Sequence, residues 1–307
     1  MADNPNHYFG FLNLLKPPGM TSAKAVGFVK SFLHGEKIGH AGTLDPEAAG
    51  VLPLMIGKAA RLFDYLQDKR KEYIAEIAFG YKTDTQDAQG NVLSTGRSNI
   101  SETELRAVLP NFIGEIPQTP PMFSAISKNG ERLYDLARKG KTVEIPSRTV
   151  TVHELDLIQM MPNHGALLRV SCSKGFYVRT LCQDIGTALN TSSHMRFLLR
   201  TASGPFCIEN AVTLNEIRIA AEENRLQPLL MTPEQVLPDL PLVAIPQQMK
   251  KAVWNGGLVT VEQFAKPNLI PQEDRKPFGL TFDGKLCAIA YREQNRVYNS
   301  VWLADDV

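Results

Sequence analysis

The segment GHAGTLDPEAAG, residues 39–50, places one carboxylate, Asp45, directly before a proline and among glycines. An Asp–Pro pair followed by a glycine is typical of a short helix, with Asp45 as its N-cap and Gly50 as its C-terminal stop. Such a cap would also hold the carboxylate rigidly, as a nucleophile or proton relay requires. Gly39, Gly42 and Gly50 lack a Cβ, so another backbone, such as a nucleic acid strand, can come close.

Other chemistries lack the patterns that they require. The sequence has no G-x-x-x-x-G-K-[ST] or G-x-G-x-x-G pattern for nucleotides and no G-x-S-x-G pattern for a hydrolase. The stretch TDTQDAQG has Gln89 where a calcium loop has glycine. The four cysteines form no C-x-x-C pair, and the six histidines form no H-x-x-x-H pattern. We therefore predict no metal site.

The charged residues are unevenly distributed, although the net charge of the 307-residue chain is only +1. Residues 58–71 and 128–148 each carry a net charge of +3, residues 169–200 carry +4 and residues 209–239 carry −4. If the three basic segments share a face, they form a positive surface suited to nucleic acid. Ordinary solvated charge is the open alternative.

Apolar periodicity predicts strands and helices without a regular βαβ alternation. Tyr73, Ala75, Ile77 and Phe79 alternate with mostly polar residues, which is typical of a strand. We predict helices from Ser22, as N-cap, to about residue 33 and over about residues 177–189. Capping boxes predict further helix starts at Ser101 with Glu104, Thr213 with Glu216 and Thr232 with Gln235. This mixture indicates an α+β fold on a mixed or largely antiparallel sheet.

The chain is expected to form two units. The proline-punctuated stretch LPDLPLVAIP, residues 237–246, predicts a linker between residues 1–237 and a small β module at 238–307. No apolar run approaches the roughly 18 residues of a membrane helix, and the first residues lack a secretory pattern. These features predict a cytoplasmic protein without a membrane partner.

Several motifs occur together in a distinctive order. They are KPPGMTS, GHAGTLDPEAAGVLP, KEYIAEIAFGYKTDTQDAQG, MFSAISKNGERLYDLARKG, CSKGFYVRTLCQDIG and HMRFLLRTASGPF. Over about residues 9–215 the chain thereby resembles the bacterial TruB family of tRNA pseudouridine synthases. The resemblance implies a pseudouridine synthase fold, a mobile thumb-like segment at about residues 126–148, and a PUA-like C-terminal domain.

The resemblance also implies an activity: conversion of uridine to pseudouridine at position 55 in the T-arm loop of tRNA, without cofactor or metal. In this family the target base is flipped out, and one essential aspartate, matched by Asp45, acts at its glycosidic bond. Arg179 matches the arginine that pairs with this aspartate, and Tyr73 matches a tyrosine that stacks on the base. From the residues alone, a core position for Tyr73 and an exposed helix face for Arg179 stay open as alternatives.

Further site residues follow from the same resemblance. His40 matches a residue that enters the space left by the base, although a histidine in a glycine-rich loop is more often an ordinary surface residue. Tyr177 and Leu198 match residues that line the base pocket. The expected contacts to RNA phosphates are Lys16, Lys58, Arg61 and Arg132. Ser127 and Leu199 stand where the family usually has a cation, so a lower RNA affinity is expected.

Two other functions stay open. The same site would also suit a tRNA-folding chaperone whose catalysis is secondary, or an enzyme directed by a guide RNA within a ribonucleoprotein. The basic thumb-like segment favours an enzyme that works alone. We therefore expect a monomer whose partner is tRNA, held by its T-arm loop and elbow.

Overall fold

The computed structural model describes residues 8–33, 35–67, 69–124, 126–128, 130–141 and 143–304. In chain order its strands are β1 (Gly10–Lys16), β2 (Ile38–His40), β3 (Ala49–Ile56), β4 (Lys71–Phe79), β5 (Tyr81–Thr83), β6 (Val92–Thr95), β7 (Gly114–Gln118), β8 (Ser127–Lys128), β9 (Glu131–Arg132), β10 (Arg148–Met161), β11 (Gly165–Cys172), β12 (Ser193–Ser203), β13 (Phe206–Cys207), β14 (Leu230–Met231), β15 (Leu242–Ala244), β16 (Val259–Thr260), β17 (Pro277–Phe282), β18 (Lys285–Glu293) and β19 (Arg296–Trp302). Its helices are α1 (Ser22–Lys30), α2 (Phe63–Gln67), α3 (Glu102–Val108), α4 (Leu133–Arg138), α5 (Val178–Ala188), α6 (Leu214–Glu222), α7 (Pro233–Val236) and α8 (Lys250–Trp254).

The main sheet has the strand order β14-β1-β3-β12-β4-β11-β10-β7, with β2 paired to β3 and β13 to β12. Neighbouring strands are antiparallel except β3 and β12, which are parallel. Helix α5 packs against β12 and β4 at the centre of the sheet. The predicted α+β fold on a mixed, largely antiparallel sheet is thus confirmed.

Helix starts were predicted well where the cap is local. All three capping boxes are formed, and they open α3, α6 and α7. The predicted cap of α1 is wrong, because the Thr21 hydroxyl, one residue earlier, accepts the Lys24 N–H at 3.1 Å. The Ser22 hydroxyl instead accepts from the N–H of Leu44 and donates to its carbonyl, each at 2.9 Å. Ser22 therefore fixes the residue directly before Asp45.

A second sheet follows in the C-terminal part of the chain. Its strand order is β15-β17-β18-β19-β16, and β15 begins at Leu242. One apolar cluster contains Phe11 and Val51 of the main sheet together with Leu286 and Ile289 of β18. The two sheets therefore share buried apolar contacts, which favours a fixed arrangement. We propose residues 238–307 as the unit built on this second sheet; residues 305–307 lie outside the described part.

Candidate active site

Asp45 lies in a tight turn just before β3. The Ala48 N–H donates to the Asp45 carbonyl at 3.1 Å and closes a turn with Pro46 at its second position. Proline is favoured there because its φ angle is already fixed near the value that the turn needs. The described residues 43–50 contain no helix, so the predicted N-cap at Asp45 is wrong. The Asp–Pro pair instead builds a turn that is held in place by its neighbours.

Lys16 is one of those neighbours. Its side chain is fully buried, and its Nζ donates to the carbonyls of Pro17 at 2.8 Å, Met20 at 2.6 Å and Pro46 at 3.0 Å. Burial lowers the pKa of Lys16 to about 8. An ammonium group has three N–H donors, and all three are used inside the protein. The predicted phosphate contact at Lys16 is therefore wrong, and the residue positions the Asp45 turn.

Gly50 lets this turn lie directly against β12. Its φ is +110°, and a Cβ at this position would lie 2.2 Å from the carbonyl oxygen of Arg200, its partner in the parallel pairing. At Gly39 and Gly42 only side chains come within 4 Å of such a Cβ. The close backbone approach expected of these glycines thus occurs at Gly50, where the approaching backbone is a strand of the same chain.

We predict that Gly50→Ala lowers the free energy of unfolding by about 3 kcal/mol, since it adds a backbone clash to an unfavourable φ. Gly19→Ala is the matched control, because Gly19 has φ +76° but no atom within 4 Å of its would-be Cβ. Strain alone should cost that variant about 1 kcal/mol. Urea unfolding measures both values, and equal losses would contradict the assigned clash.

Arg179, near the start of α5, forms a two-pronged ion pair with Asp45. Its Nε lies 2.9 Å from Oδ2 and one terminal nitrogen lies 3.2 Å from Oδ1. The guanidinium also donates to the carbonyls of Thr85 at 3.1 Å and Phe123 at 2.9 Å. Only 4 % of the Arg179 side chain is exposed, which excludes the surface-arginine interpretation, whereas 36 % of the Asp45 side chain is exposed. A fixed cation thus faces a carboxylate that solvent and a ligand can reach.

The pKa of Asp45 reflects several opposing effects. Burial raises this pKa above 3.8, the Arg179 charge and hydrogen bond lower it, and the Asp87 charge raises it again. Arg179 is therefore what favours an ionised carboxylate at neutral pH. Asp87 lies in the TDTQDAQG stretch and was not predicted as a site residue, because neither the calcium-loop pattern nor the family resemblance pointed to it.

Tyr73 and Leu198 lie on one face of the main sheet. Tyr73 is paired with Arg200 and Ala75 with Leu198 in the β4–β12 ladder, and paired residues share a face. Tyr73 is 8 % exposed and Leu198 is 7 % exposed. Burial raises the pKa of the Tyr73 hydroxyl, so it is protonated at neutral pH. The core interpretation therefore holds for most of Tyr73, and little of its surface is open to a ligand.

Arg200 connects this face with the Asp45 loop. It is 1 % exposed; its Nε donates to the Val51 carbonyl at 2.7 Å and a terminal nitrogen donates to the Gly42 carbonyl at 3.1 Å. Arg200 was not predicted as a site residue, although its neighbour Leu199 was considered as a departure from the family pattern. An arginine among the apolar residues of a buried strand was the available signal.

Tyr177 and His40 lie at two further edges of the site. Tyr177 precedes α5, and its backbone N–H and carbonyl bind the Gln118 amide at 2.7 and 3.1 Å. The Arg148 guanidinium lies over its ring, 5.2 Å from the centroid. His40 ends β2 and is half-buried, and its Nδ1 has no hydrogen-bond partner in the described structure. Burial lowers the pKa of His40, so the ring is neutral at neutral pH.

The other predicted phosphate contacts lie apart from this centre. Lys58 donates to the Ala304 carbonyl, and Arg61 donates to the Trp302 carbonyl at 2.6 Å. Both therefore contact the end of the second sheet. Arg132 is exposed on β9, within the thumb-like segment.

The thumb-like segment consists of the short β8–β9 hairpin and α4. Leu133 and Leu136 of α4 are buried, so this part packs onto the protein. Residues 129 and 142 of the segment lie outside the described residues. Phe123, whose carbonyl Arg179 binds, lies three residues before the segment.

No three His, Cys, Asp or Glu side chains among the described residues are grouped so that they could hold a metal ion. None of the helices in the described ranges is both long and apolar enough to span a membrane.

Two family models match consecutive parts of the chain. Residues 30–178 match the TruB family pseudouridylate synthase N-terminal domain, and residues 179–237 match the tRNA pseudouridylate synthase B C-terminal domain. The chain is 42% identical over 250 residues to tRNA pseudouridine synthase B of Alkaliphilus oremlandii, covering 81% of this chain and 82% of that protein. It is 40% identical over 282 residues to the protein of the same name from Geobacillus thermodenitrificans, covering 88% and 93%.

Solved structures extend the likeness to nearly the whole chain. A chain of an H/ACA RNP bound to a substrate RNA containing 2'-deoxyuridine has a TM-score of 0.72 at 25% identity, covering 97% of this chain and 86% of that chain. A chain of a Cbf5-Nop10-Gar1 complex has a TM-score of 0.71 at 27% identity, covering 96% and 84%. The predicted fold family is thereby confirmed, second sheet included.

Proposed function

Because this chain belongs to the TruB family of pseudouridine synthases, isomerases that form pseudouridine in tRNA, we propose that its target is the uridine at position 55 of the T-arm loop. The observation that carries the proposal is the Asp45–Arg179 pair, a reachable carboxylate beside a buried, fixed cation. Tyr73 and Leu198 form the adjoining wall on the central strands. Such a site suits a reaction that needs one ionised, rigid carboxylate.

The reaction requires no external oxidant, reductant or co-reactant. The bond between N1 of uracil and C1′ of the ribose breaks, the base rotates, and a bond between C5 and C1′ forms. The proton on C5 is lost to solvent and N1 gains one, so the composition of the RNA is unchanged. We propose that Asp45 acts at the bond-breaking step, with Arg179 keeping its carboxylate ionised.

Base flipping needs more than one contact. Extruding a stacked uridine costs a few kcal/mol, and stacking on one aromatic ring returns about 1–3 kcal/mol. Tyr73 offers little surface for stacking because it is only 8 % exposed. Tyr177, which is half-buried, and His40, which we propose enters the vacated space, are the further contacts. The low pKa of His40 favours a neutral ring that can insert without carrying a charge among the bases.

Tritium release tests this function. A tRNA transcript labelled with tritium at C5 of uridine should release about one equivalent when incubated with the enzyme, and a transcript with cytidine at position 55 should release none. Equal release from both transcripts would disprove the T-arm target. Tight binding without release would disprove the enzymatic proposal and favour the chaperone alternative. Tritium release by the purified chain from free tRNA, without any guide RNA, would exclude the alternative of an enzyme directed by a guide RNA within a ribonucleoprotein.

A further inference from the structure

A cleft of about 360 Å³ lies beside the Asp45 loop and is positively charged. Its walls include Gly42, Phe63, Lys71, Arg148 and Lys174, and none of the described residues that line it is acidic. Unlike the predicted contacts at Lys58 and Arg61, this cleft adjoins the site itself. A concave surface with cations of one sign concentrates anions.

Lys71 is the central cation of this cleft. It is the first residue of β4, lies two positions before Tyr73 and therefore points to the same face. Burial lowers its pKa and the charges of Arg200 and Lys174 lower it further; Cys172 opposes this shift, and no carboxylate contributes. Within the described structure its ammonium group makes no hydrogen bond or ion pair. A half-buried ammonium without an anionic partner is costly, so a bound anion would stabilise it.

Two further groups converge on the same space. A Cβ placed on Gly42 would lie 3.8 Å from the Lys71 Nζ and 3.6 Å from a terminal nitrogen of Arg200, so both cations reach this glycine. Arg148 donates from a terminal nitrogen to the Gly175 carbonyl, but its Nε is buried without a partner. The cleft is thus lined by the Lys71 ammonium group and the Arg148 side chain, and the buried Arg200 guanidinium lies behind them.

We propose that Lys71 and Arg148 bind a phosphodiester of the tRNA strand next to the flipped uridine. Lys71 and Tyr73 are two residues apart on one strand, a distance of about 7 Å, so the phosphate belongs to the target nucleotide or its immediate neighbour. Phosphate oxygens accept charge-assisted hydrogen bonds from ammonium and guanidinium groups. Arg200 adds positive charge from behind without direct contact. This inference rests on the proposed function, because it needs the uridine at Asp45.

Single-phosphate neutralisation tests the site. T-arm hairpins are prepared with one neutral methylphosphonate at each position in turn, and their affinity is measured for the wild type and for Lys71→Gln. For the wild type, one position beside the target uridine should lower the affinity about tenfold, as expected for a lost charge-assisted contact. Lys71→Gln should bind the unmodified hairpin about tenfold more weakly and should lose less than about twofold at that position.

Lys82→Gln is the matched control, a half-buried lysine on β5 outside the cleft. It should leave the pattern of sensitive phosphates unchanged, and Lys71→Arg should restore the wild-type pattern. If Lys71→Gln weakens binding but keeps the wild-type sensitivity at every phosphate, the residue is only structural and the inference is wrong. If the wild type converts the hairpin but no flanking phosphate matters, the inference fails while the proposed function stands. If the wild type neither binds nor converts it, both fail.

Discussion

Asp45→Asn is expected to abolish pseudouridine formation, with a loss in kcat of more than about 10⁴-fold, and to leave the affinity for tRNA within about threefold of the wild type. Asparagine has nearly the same shape, and the backbone hydrogen bond from Ala48 that closes the turn does not involve the side chain. What is lost is the negative charge that the reaction requires. Tritium release under single-turnover conditions measures the chemistry, and filter binding measures the affinity.

Asp184→Asn provides a matched control on α5. Asp184 is also a partly buried carboxylate, and burial raises its pKa to about 6, but it lies outside the Asp45–Arg179 pair. This variant should keep wild-type kcat. Product formation by Asp45→Asn at a rate near that of Asp184→Asn would show that another group performs the chemistry. If Asp45→Asn promotes the refolding of misfolded tRNA to the same extent as the wild type, then RNA binding and catalysis are separable functions of one site.

Local signals in the sequence predicted local structure. The capping boxes at Ser101, Thr213 and Thr232 involve residues three apart, so nothing distant needed to be known. The start of α1 was missed by one residue because Thr21 and Ser22 are both good caps. The choice between them depends on Leu44, which lies 22 residues away in sequence. Its backbone forms hydrogen bonds with the Ser22 hydroxyl, so this hydroxyl does not cap the helix.

The errors at the site have the same origin. A lysine after an apolar strand is normally exposed, and only the folded position of Pro46 shows that Lys16 is fully used inside the protein. Arg200 was missed because its role depends on the parallel pairing of β3 with β12, which brings it against Gly50. The resemblance correctly paired Asp45 with Arg179. It did not point to the further charged groups near them, Asp87 and Arg200.

Arg179→Met is expected to lower kcat by about 10²–10³-fold at neutral pH and to shift the pH dependence of kcat/KM. Burial raises the pKa of Asp45, and Arg179 is the main group that opposes the rise. Without Arg179 this pKa rises further, so a smaller fraction of Asp45 is ionised at a given pH. The acidic limb of the profile therefore moves to higher pH, and part of the lost activity returns as the pH is raised.

The free energy of unfolding of Arg179→Met should also depend on pH, which tests the same contact independently of activity. In this variant the pKa of Asp45 is expected to be higher in the folded than in the unfolded state, so folding favours the protonated carboxyl group. The stability that this preference contributes is lost as the pH rises through the folded-state pKa. Urea unfolding at pH 5 and pH 8 should therefore show a larger deficit relative to wild type at pH 8, about 2 kcal/mol after allowing for solvent screening of the partly exposed carboxylate. Arg196→Met breaks the Arg196–Glu76 pair elsewhere on the sheet and is the control. It should leave the kcat/KM profile unshifted, and an equal shift in both variants would mean that general loss of charge, rather than contact with Asp45, sets the profile.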